Sequence, residues 1–292
     1  MHPARSPAPT AMAATMLAVA LAVALAAVDV SAAPWEREDE EVRQLYEAWK
    51  SKHPARPPRG KDDDDLLRLE VFRDNLRYID AHNAEADLGL HGFRLGLTPF
   101  ADLTLEEFRG SVLGFQQSRR NDTTADAAAD WHSAGEPQAV PAAVDWGKSG
   151  AVTRVRNQSK MRSTRAGGCW AFSAVAAMEG INKIVTGKLV ELSEQELIDC
   201  DHKSDGCNSG RMDYAFQWVI SNGGIDTEAD YPFTGRAGTC DASKIKKKVV
   251  SINSYKRVLP ANNEKALQAA VANQPVSVAI EAGGRSFQLY IS

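Results

Sequence analysis

The sequence predicts an α+β fold, and three features of the chain support this prediction. Residues 36–110 are highly charged and carry apolar residues at helical spacing. Residues 111–139 are polar, rich in alanine and without periodicity, which is typical of a linker exposed to proteolysis. Residues 140–292 combine one strongly apolar helix with short segments rich in β-branched residues. With 292 residues, 43% of them hydrophobic, the chain can bury one or two sizeable cores.

Residues 1–33 predict a secretory signal peptide, because an apolar stretch follows a short polar head. The stretch begins near residue 11 and ends in three small residues, Ser31-Ala32-Ala33, which is typical of a cleavage site. A membrane anchor is the alternative, but the continuously apolar part, residues 13–28, is short for a membrane span. We therefore expect the secretory pathway, with an extracellular, vacuolar or lysosomal destination.

Charge and composition argue against several classes of partner. The formal net charge is −4 at pH 7, so the chain has no basic excess that would favour nucleic acid. No residue spacing indicates a metal or an organic cofactor. After removal of the signal peptide, we expect a monomer that does not contact a membrane.

Two segments within residues 36–110 have the pattern of helices. DDDDLLRLEVFRDNLRYIDAHN begins with four aspartates, and acidic side chains stabilise the positive end of a helix. It continues with apolar residues at helical spacing: Leu66, Leu67, Val71, Phe72, Leu76 and Ile79. In LTLEEFRGSVLG, Thr104 and Glu107 have the spacing of a capping box, which predicts the start of another helix.

Residues 140–292 contain the strongest helix signal in the chain. This helix is predicted to begin around Cys169 and to end around Thr186, with Lys183 in its last turns and Gly187 as its stop. Nearer the end of the sequence, KKKVVSINSYKRV and PVSVAIEA are rich in β-branched residues and predict strands.

The chain has four cysteines: Cys169, Cys200, Cys207 and Cys240. An even number in an exported chain indicates disulfides. Cys169, however, follows Gly167 and Gly168 at a predicted helix start, where backbone N–H groups and the helix dipole stabilise a thiolate. It is a candidate nucleophile, and a nucleophilic thiol must stay unpaired. A small buried cysteine is the alternative interpretation.

Several segments, in the same order, resemble the papain-like cysteine proteases, most closely the plant enzymes similar to cathepsin L. The segment CWAFS, which starts at Cys169, is similar to the family's nucleophile segment. LSEQELIDCD (192–201) and GCNSGRMDYAF (206–216) are similar to further family segments. Upstream, two motifs resemble the family's inhibitory pro-region: Arg68, Phe72, Asn75, Ile79 and Asn83, with Asp64 where glutamate is usual, and Gly96, Phe100 and Asp102, with Thr98 where asparagine is usual.

The resemblance implies a papain-like fold of two lobes, preceded by a helical inhibitory pro-domain. The pro-domain would cover residues 36–110, and the peptidase domain would cover residues 140–292, with a helical lobe and an incomplete β-barrel lobe. The pro-region would act as an intramolecular inhibitor of a peptide- or protein-cleaving enzyme until it is removed. We also expect marginal stability, because an incomplete lobe exposes strand edges and apolar faces.

The resemblance also implies roles for single residues. Cys169 would be the nucleophile that forms a thioester, and Gln158 would donate a hydrogen bond to the oxyanion. The expected disulfide joins Cys200 and Cys240. Further residues would bind the substrate, either its backbone or the side chain in the main specificity pocket: Gly167, Asn208, Gly210, Met212 and Ala279.

The sequence departs from the family pattern at the catalytic base. In the family, a histidine and the asparagine that orients it follow the cysteine by about 130–150 residues. Here only His202 follows Cys169, in the polar loop DCDHKSDGC, and it is predicted to be a solvated loop residue. We therefore expect that the chain as it stands lacks a Cys–His ion pair and is inactive.

Three further departures lie around Gln158. It precedes the nucleophile by eleven residues rather than six, which indicates a five-residue insertion beside the oxyanion hole. Ala166 stands where the family has a cysteine that pairs with the one matching Cys207, so Cys207 is expected to be unpaired. Asn157 lies in a glycosylation sequon, as does Asn121 in the linker.

Two other interpretations stay open. The chain could be a non-catalytic protein whose pro-region inhibits related proteases, which inhibition in trans by residues 36–110 would support. It could also be a truncated gene product without a function of its own. Sequencing the transcript across codons 158–168 and beyond codon 292 tests the second interpretation.

Overall fold

A computed structural model of the chain describes residues 37–53, 62–113, 140–158, 167–260 and 262–292. In chain order its helices are α1 (Asp39–Lys52), α2 (Asp62–Asp87), α3 (Leu105–Val112), α4 (Cys169–Thr186), α5 (Glu194–Cys200), α6 (Met212–Asn222), α7 (Glu264–Asn273) and α8 (Arg285–Gln288). The predicted signal peptide, most of the predicted linker with Asn121, and Ala166 lie outside the described residues. Among the described helices, none is both long and apolar enough to cross a membrane.

The chain divides into two compact units. The first contains the residues up to Asp102 together with Leu289–Ser292, and the second contains Leu103–Gln288. Each unit has its own hydrophobic core.

The first unit is built on the packing of α1 against α2. Its core combines apolar side chains of both helices with residues of the segments beyond them: Val42, Tyr46, Trp49, Leu69, Phe72, Leu76, Ile79, Leu95, Ala101 and Leu289. Leu66 and Leu67 share the helical spacing but are 62% and 58% exposed. The apolar contact starts only at Leu69, because the first turns of α2 are held by polar contacts from Tyr46 and Lys50 to Asp65.

Residues 95–102 lie along α2 and are held there by polar side chains of that helix. Each donates a hydrogen bond to a backbone carbonyl of the segment: Arg68 to Asp102 (3.1 Å), Asn75 to Ala101 (2.8 Å) and Asn83 to Leu95 (2.9 Å). The three residues recur every seven or eight positions and so share one helix face. This explains the spacing of the pro-region motif, in which the polar residues hold an extended segment and Phe72 and Ile79 fill the core.

The second unit is organised around α4, which packs against α5 and α6. The prediction for α4 is confirmed from Cys169 to Thr186, and Gly187 ends the helix in the left-handed conformation at φ 76°. The capping box at the start of α3 is also confirmed, because Thr104 and Glu107 exchange both hydrogen bonds.

The predicted strands in KKKVVSINSYKRV and PVSVAIEA do not form ladders. Within the described residues, β pairing is limited to isolated bridges. One of these bridges joins Ile225 to Val250, and Val250 is the bridged residue that lies in the two predicted strand segments. Strands are stabilised by cross-strand hydrogen bonds and by side-chain packing. Val278 and Ile280, in the second segment, are instead 51% and 64% exposed. These two β-branched residues therefore lack the packing that would stabilise a strand.

The predicted disulfide between Cys200 and Cys240 is confirmed. It joins the end of α5 to a segment 40 residues further along the chain. Cys169 and Cys207 are not part of a disulfide, as expected.

Candidate active site

The nucleophile turn is the first turn of α4. Cys169 is the first residue of the helix and is half-buried, and Gly168 precedes it without a side-chain cap. The next residue, Trp170, is fully buried, and its indole Nε1 donates to the carbonyl of Gly206 at 3.0 Å. Free N–H groups at a helix start favour a thiolate there. A buried tryptophan thus fixes the turn, in which Cys169 itself stays partly exposed.

Residues 205–210 form a strip beside this turn, which we call the cleft strip. The backbone N–H of Gly167 donates to the carbonyl of Cys207 at 2.8 Å. A Cβ added to Gly167 would overlap the carbonyl oxygen of Asn208, and one added to Gly210 would overlap the ring of Trp170. Both positions therefore require glycine, because any larger residue would overlap a neighbouring group. The two glycines allow the cleft strip to pack against the nucleophile turn.

We expect the substitution Gly167→Ala to lower the free energy of unfolding by about 1–3 kcal/mol, because the methyl group must displace backbone rather than a flexible side chain. Urea unfolding of the full chain measures this effect. Gly284→Ala is the matched control, since a Cβ at that glycine meets no atom within 4 Å. Equal midpoints for the two variants would contradict the tight contact.

The structure brings together most of the predicted substrate-binding residues. Asn208 is exposed on the cleft strip, and its backbone N–H donates to Asp205 at 2.8 Å. Met212 begins α6 directly after the strip and packs partly against the core. Ala279 is exposed and lies two residues beyond Ser277, whose hydroxyl donates to the carbonyl of Ser173 in α4 at 2.7 Å. That hydrogen bond ties the segment carrying Ala279 to the helix that carries the nucleophile.

Gln158 ends a segment that is anchored by Arg156. The guanidinium of Arg156 lies 2.7 Å from a carboxylate oxygen of Glu179 in α4 and 2.5 Å from one of Glu194 in α5. It also donates to the carbonyl of Leu192 at 2.8 Å. Gln158 is half-buried, and its buried side-chain oxygen has no hydrogen-bond partner among the described residues. The following residues, 159–166, lie outside the described part of the chain.

Sequence reasoning missed the anchoring role of Arg156. Its two acidic partners are each 1% exposed, although charged residues in a polar segment usually lie in water. The signal that could have indicated this role is the acidic Glu194 in LSEQEL, a segment that also provides the buried Leu192 and Leu197.

The two cysteines outside the disulfide differ in their surroundings. Burial raises the pKa of the Cys207 thiol to about 11, with a contribution from the charge of Asp199. That thiol is therefore protonated at neutral pH, whereas Cys169 is partly exposed at a helix start. His202 is exposed on the turn after α5, as predicted. No cluster of three or more possible metal ligands occurs in the part of the chain that the structure describes.

Two regions of the chain match known protein families. Residues 140–292 match the papain family cysteine proteases, and residues 46–108 match the cathepsin propeptide inhibitor domain (I29). The chain belongs to the papain family. The order of the two regions, propeptide inhibitor before peptidase, is that of a papain-family proenzyme.

Individual papain-family proteins show how far the likeness extends. The probable cysteine protease RD21B of Arabidopsis thaliana is 50% identical over 259 residues, which are 88% of this chain and 53% of RD21B. Cysteine proteinase RD21A of the same plant is 48% identical over 257 residues, which are 88% of this chain and 53% of RD21A. The chain thus spans about half the length of the curated relatives it matches.

One solved structure of a proenzyme has the same fold. The recombinant stem bromelain precursor has a TM-score of 0.70 at 33% identity, covering 86% of this chain and 76% of that one. This likeness and the two family matches confirm the predicted papain-like fold with its preceding pro-region.

Proposed function

We propose that the chain is the zymogen of a cysteine endopeptidase and that Cys169 is its nucleophile. The observation that carries the proposal is the half-buried Cys169 at the first turn of α4, with the cleft strip packed against it. The thiolate would attack the carbonyl carbon of a peptide bond, forming a C–S bond and an oxyanion. The amide of Gln158 and the backbone N–H of Cys169 would donate to that oxyanion. Loss of the amine would leave a thioester, which water hydrolyses.

Both proton transfers in this reaction need a base close to the sulfur. The thiol must lose a proton before attack, and the leaving amine must gain one. His202 is the one histidine that follows Cys169 in the sequence, and it is exposed on a turn. We therefore propose that the chain as it stands has a reactive cysteine but does not turn over substrate. We further propose that the chain is a monomer that enters the secretory pathway and reaches an extracellular, vacuolar or lysosomal destination. We propose that its substrates are peptides or proteins.

Alkylation and peptide hydrolysis test the two parts of this proposal separately. In the full chain, iodoacetamide at pH 7 is expected to modify Cys169 at least about tenfold faster than Cys207, as measured by peptide mass spectrometry. Hydrolysis of a fluorogenic peptide with bulky apolar residues is expected to stay at the level of Cys169→Ser. Equal alkylation rates would contradict the nucleophile assignment. Turnover that Cys169→Ser abolishes would contradict the inactivity.

A second candidate function is inhibition of related proteases by the pro-region. It is supported by the separate core of the first unit and by the match of residues 46–108 to a propeptide inhibitor domain. The test is to add the full-length Cys169→Ser chain to an active papain-family protease. A decrease in that protease's rate that depends on chain concentration would support inhibition, and an unchanged rate at high concentration would exclude it.

A further inference from the structure

Asn157 lies in one of the two glycosylation sequons of the sequence. Asn157-Gln158-Ser159 has the pattern Asn-x-Ser with a residue other than proline in the middle, and the second sequon begins at Asn121. Asparagine in this pattern is the acceptor of N-linked glycans, which are bulky, polar and attached at protein surfaces. Asn121 lies outside the described residues, whereas Asn157 lies within them.

Burial alternates along the residues around Asn157, in a segment that is not helical. Val155 is 96% exposed, the side chain of Arg156 is 13% exposed, and Asn157 is exposed again. The guanidinium of Arg156 is turned inward, because it contacts two buried glutamates. In an extended chain, successive side chains point to opposite sides. The inward contacts of Arg156 therefore place Val155 and Asn157 together on the outer side of the segment.

We propose that Asn157 carries an N-linked glycan and that the first sugars of this glycan cover the side chain of Val155. The donor is a lipid-linked oligosaccharide diphosphate. The amide nitrogen of Asn157 forms a bond to the anomeric carbon of the first sugar, the bond between that carbon and the diphosphate oxygen breaks, and the nitrogen releases one proton. The proposal rests on the proposed entry into the secretory pathway, where glycans of this type are added.

The side chain of Asn157 keeps most of its hydrogen-bonding capacity after this change. A side-chain amide has two N–H donors and one oxygen acceptor, and the linkage replaces one of the two donors. The glycan therefore requires only an open side of the amide, which the exposure of Asn157 provides. Gln158 is half-buried and its side-chain oxygen is buried. The glycan thus leaves the proposed oxyanion donor on the inner side of the segment.

The apolar surface beside Asn157 gives the glycan a physical role. Val155 is the most exposed large hydrophobic residue in the part of the chain that the structure describes, and Val152 is exposed as well. Residues two positions apart in an extended chain are about 6–7 Å from each other. A sugar attached to Asn157 thus lies next to the isopropyl group of Val155. Exposed apolar side chains favour association between chains, and a bulky polar glycan beside them opposes it.

Peptide mass spectrometry after deglycosylation in heavy-oxygen water tests the linkage. The amidase that removes N-linked glycans converts each glycosylated asparagine to aspartate with the heavy isotope, so the two sequons are distinguished. We expect the isotope at residue 157 in the full chain secreted by a eukaryotic host. Ser159→Ala should abolish it, and Ser159→Thr should keep it, because threonine completes the sequon equally. Asn121→Gln is the control and should leave residue 157 labelled.

Dye binding tests the cover over Val155. The Asn121→Gln chain is used, because the glycan at Asn157 is then the one that the amidase removes. Its removal is expected to raise the fluorescence of ANS, a dye that binds exposed apolar surface. In Val155→Ser, made in the same Asn121→Gln chain, most of that rise should be lost. An equal rise in both chains would overturn the proposed cover.

The outcomes separate this proposal from the proposed function. A secreted chain that has lost residues 1–33 but carries no isotope at residue 157 overturns the glycan and leaves the secretory proposal standing. A chain that keeps residues 1–33 and has no glycan at either sequon overturns both. A failure of Cys169 to react in the alkylation assay overturns the nucleophile assignment and leaves the glycan result unaffected.

Discussion

Replacing Arg156 by methionine is expected to lower the free energy of unfolding by about 3–5 kcal/mol, because it leaves buried carboxylates without their cation. Glu179 and Glu194 are each 1% exposed, and both contact the Arg156 guanidinium. Burial raises the pKa of Glu179 above its ordinary value, and the charge of Arg156 opposes that shift. Methionine keeps much of the volume of the arginine stem but provides no charge and no donor.

Urea unfolding of the full chain, followed by circular dichroism, measures this loss. Arg154→Met is the matched control, because Arg154 is 73% exposed and its contact with Glu191 at 3.3 Å is a surface ion pair. Such pairs contribute about 0–1 kcal/mol. Similar unfolding midpoints for the two variants would show that the buried cluster is not what holds the segment before Gln158.

The stability of the second unit is expected to fall as the pH rises from about 4.5 to about 7, and Glu196 is expected to be a main cause. Glu196 is fully buried, and one of its carboxyl oxygens accepts the backbone N–H of Asp226 at 2.8 Å. The other oxygen has no hydrogen-bond partner among the described residues. The pKa of Glu196 is raised to about 7, chiefly by burial and also by the charge of Asp226, while the hydrogen bond from the Asp226 N–H opposes the shift.

The sign of the effect follows from proton binding. In the unfolded chain the Glu196 carboxyl has an ordinary pKa of 4.5, so between pH 4.5 and 7 the folded state binds more protons than the unfolded state. The stabilisation is complete below pH 4.5 and is lost as the pH rises through the folded pKa. A pKa difference of this size corresponds to about 3 kcal/mol. Glu194 contributes in the same direction, because burial raises its pKa to about 7 as well.

Unfolding free energies measured between pH 4 and pH 8 test this dependence. Glu196→Gln is expected to remove about 3 kcal/mol of the fall, because glutamine resembles the protonated carboxyl and does not ionise. Glu264→Gln, at an exposed position in the first turn of α7, is the matched control and should keep the full slope. If Glu196→Gln shows the same slope as the unmodified chain, the buried carboxyl is not the titrating group.

Signals contained in neighbouring residues were sufficient to predict several parts of this protein. Helix α4 was predicted with both of its ends, because its apolar run starts after two glycines and stops at Gly187 in a left-handed conformation. The capping box of Thr104 and Glu107 involves two residues three positions apart. The Cys200–Cys240 disulfide was available only through the family resemblance, since four cysteines allow more than one pairing.

The sequence determined the family, the nucleophile candidate and the helix ends, because each depends on short motifs whose chemistry is local. Only the tertiary structure decided which polar residues are buried and which apolar residues are exposed. Arg156 and Glu196 look like surface residues in the sequence, but the side chain of Arg156 is only 13% exposed and Glu196 is fully buried. Val278 and Ile280 have strand propensity but no ladder among the described residues. Burial and pairing are set by contacts between segments far apart in the chain, and those contacts have no local signature.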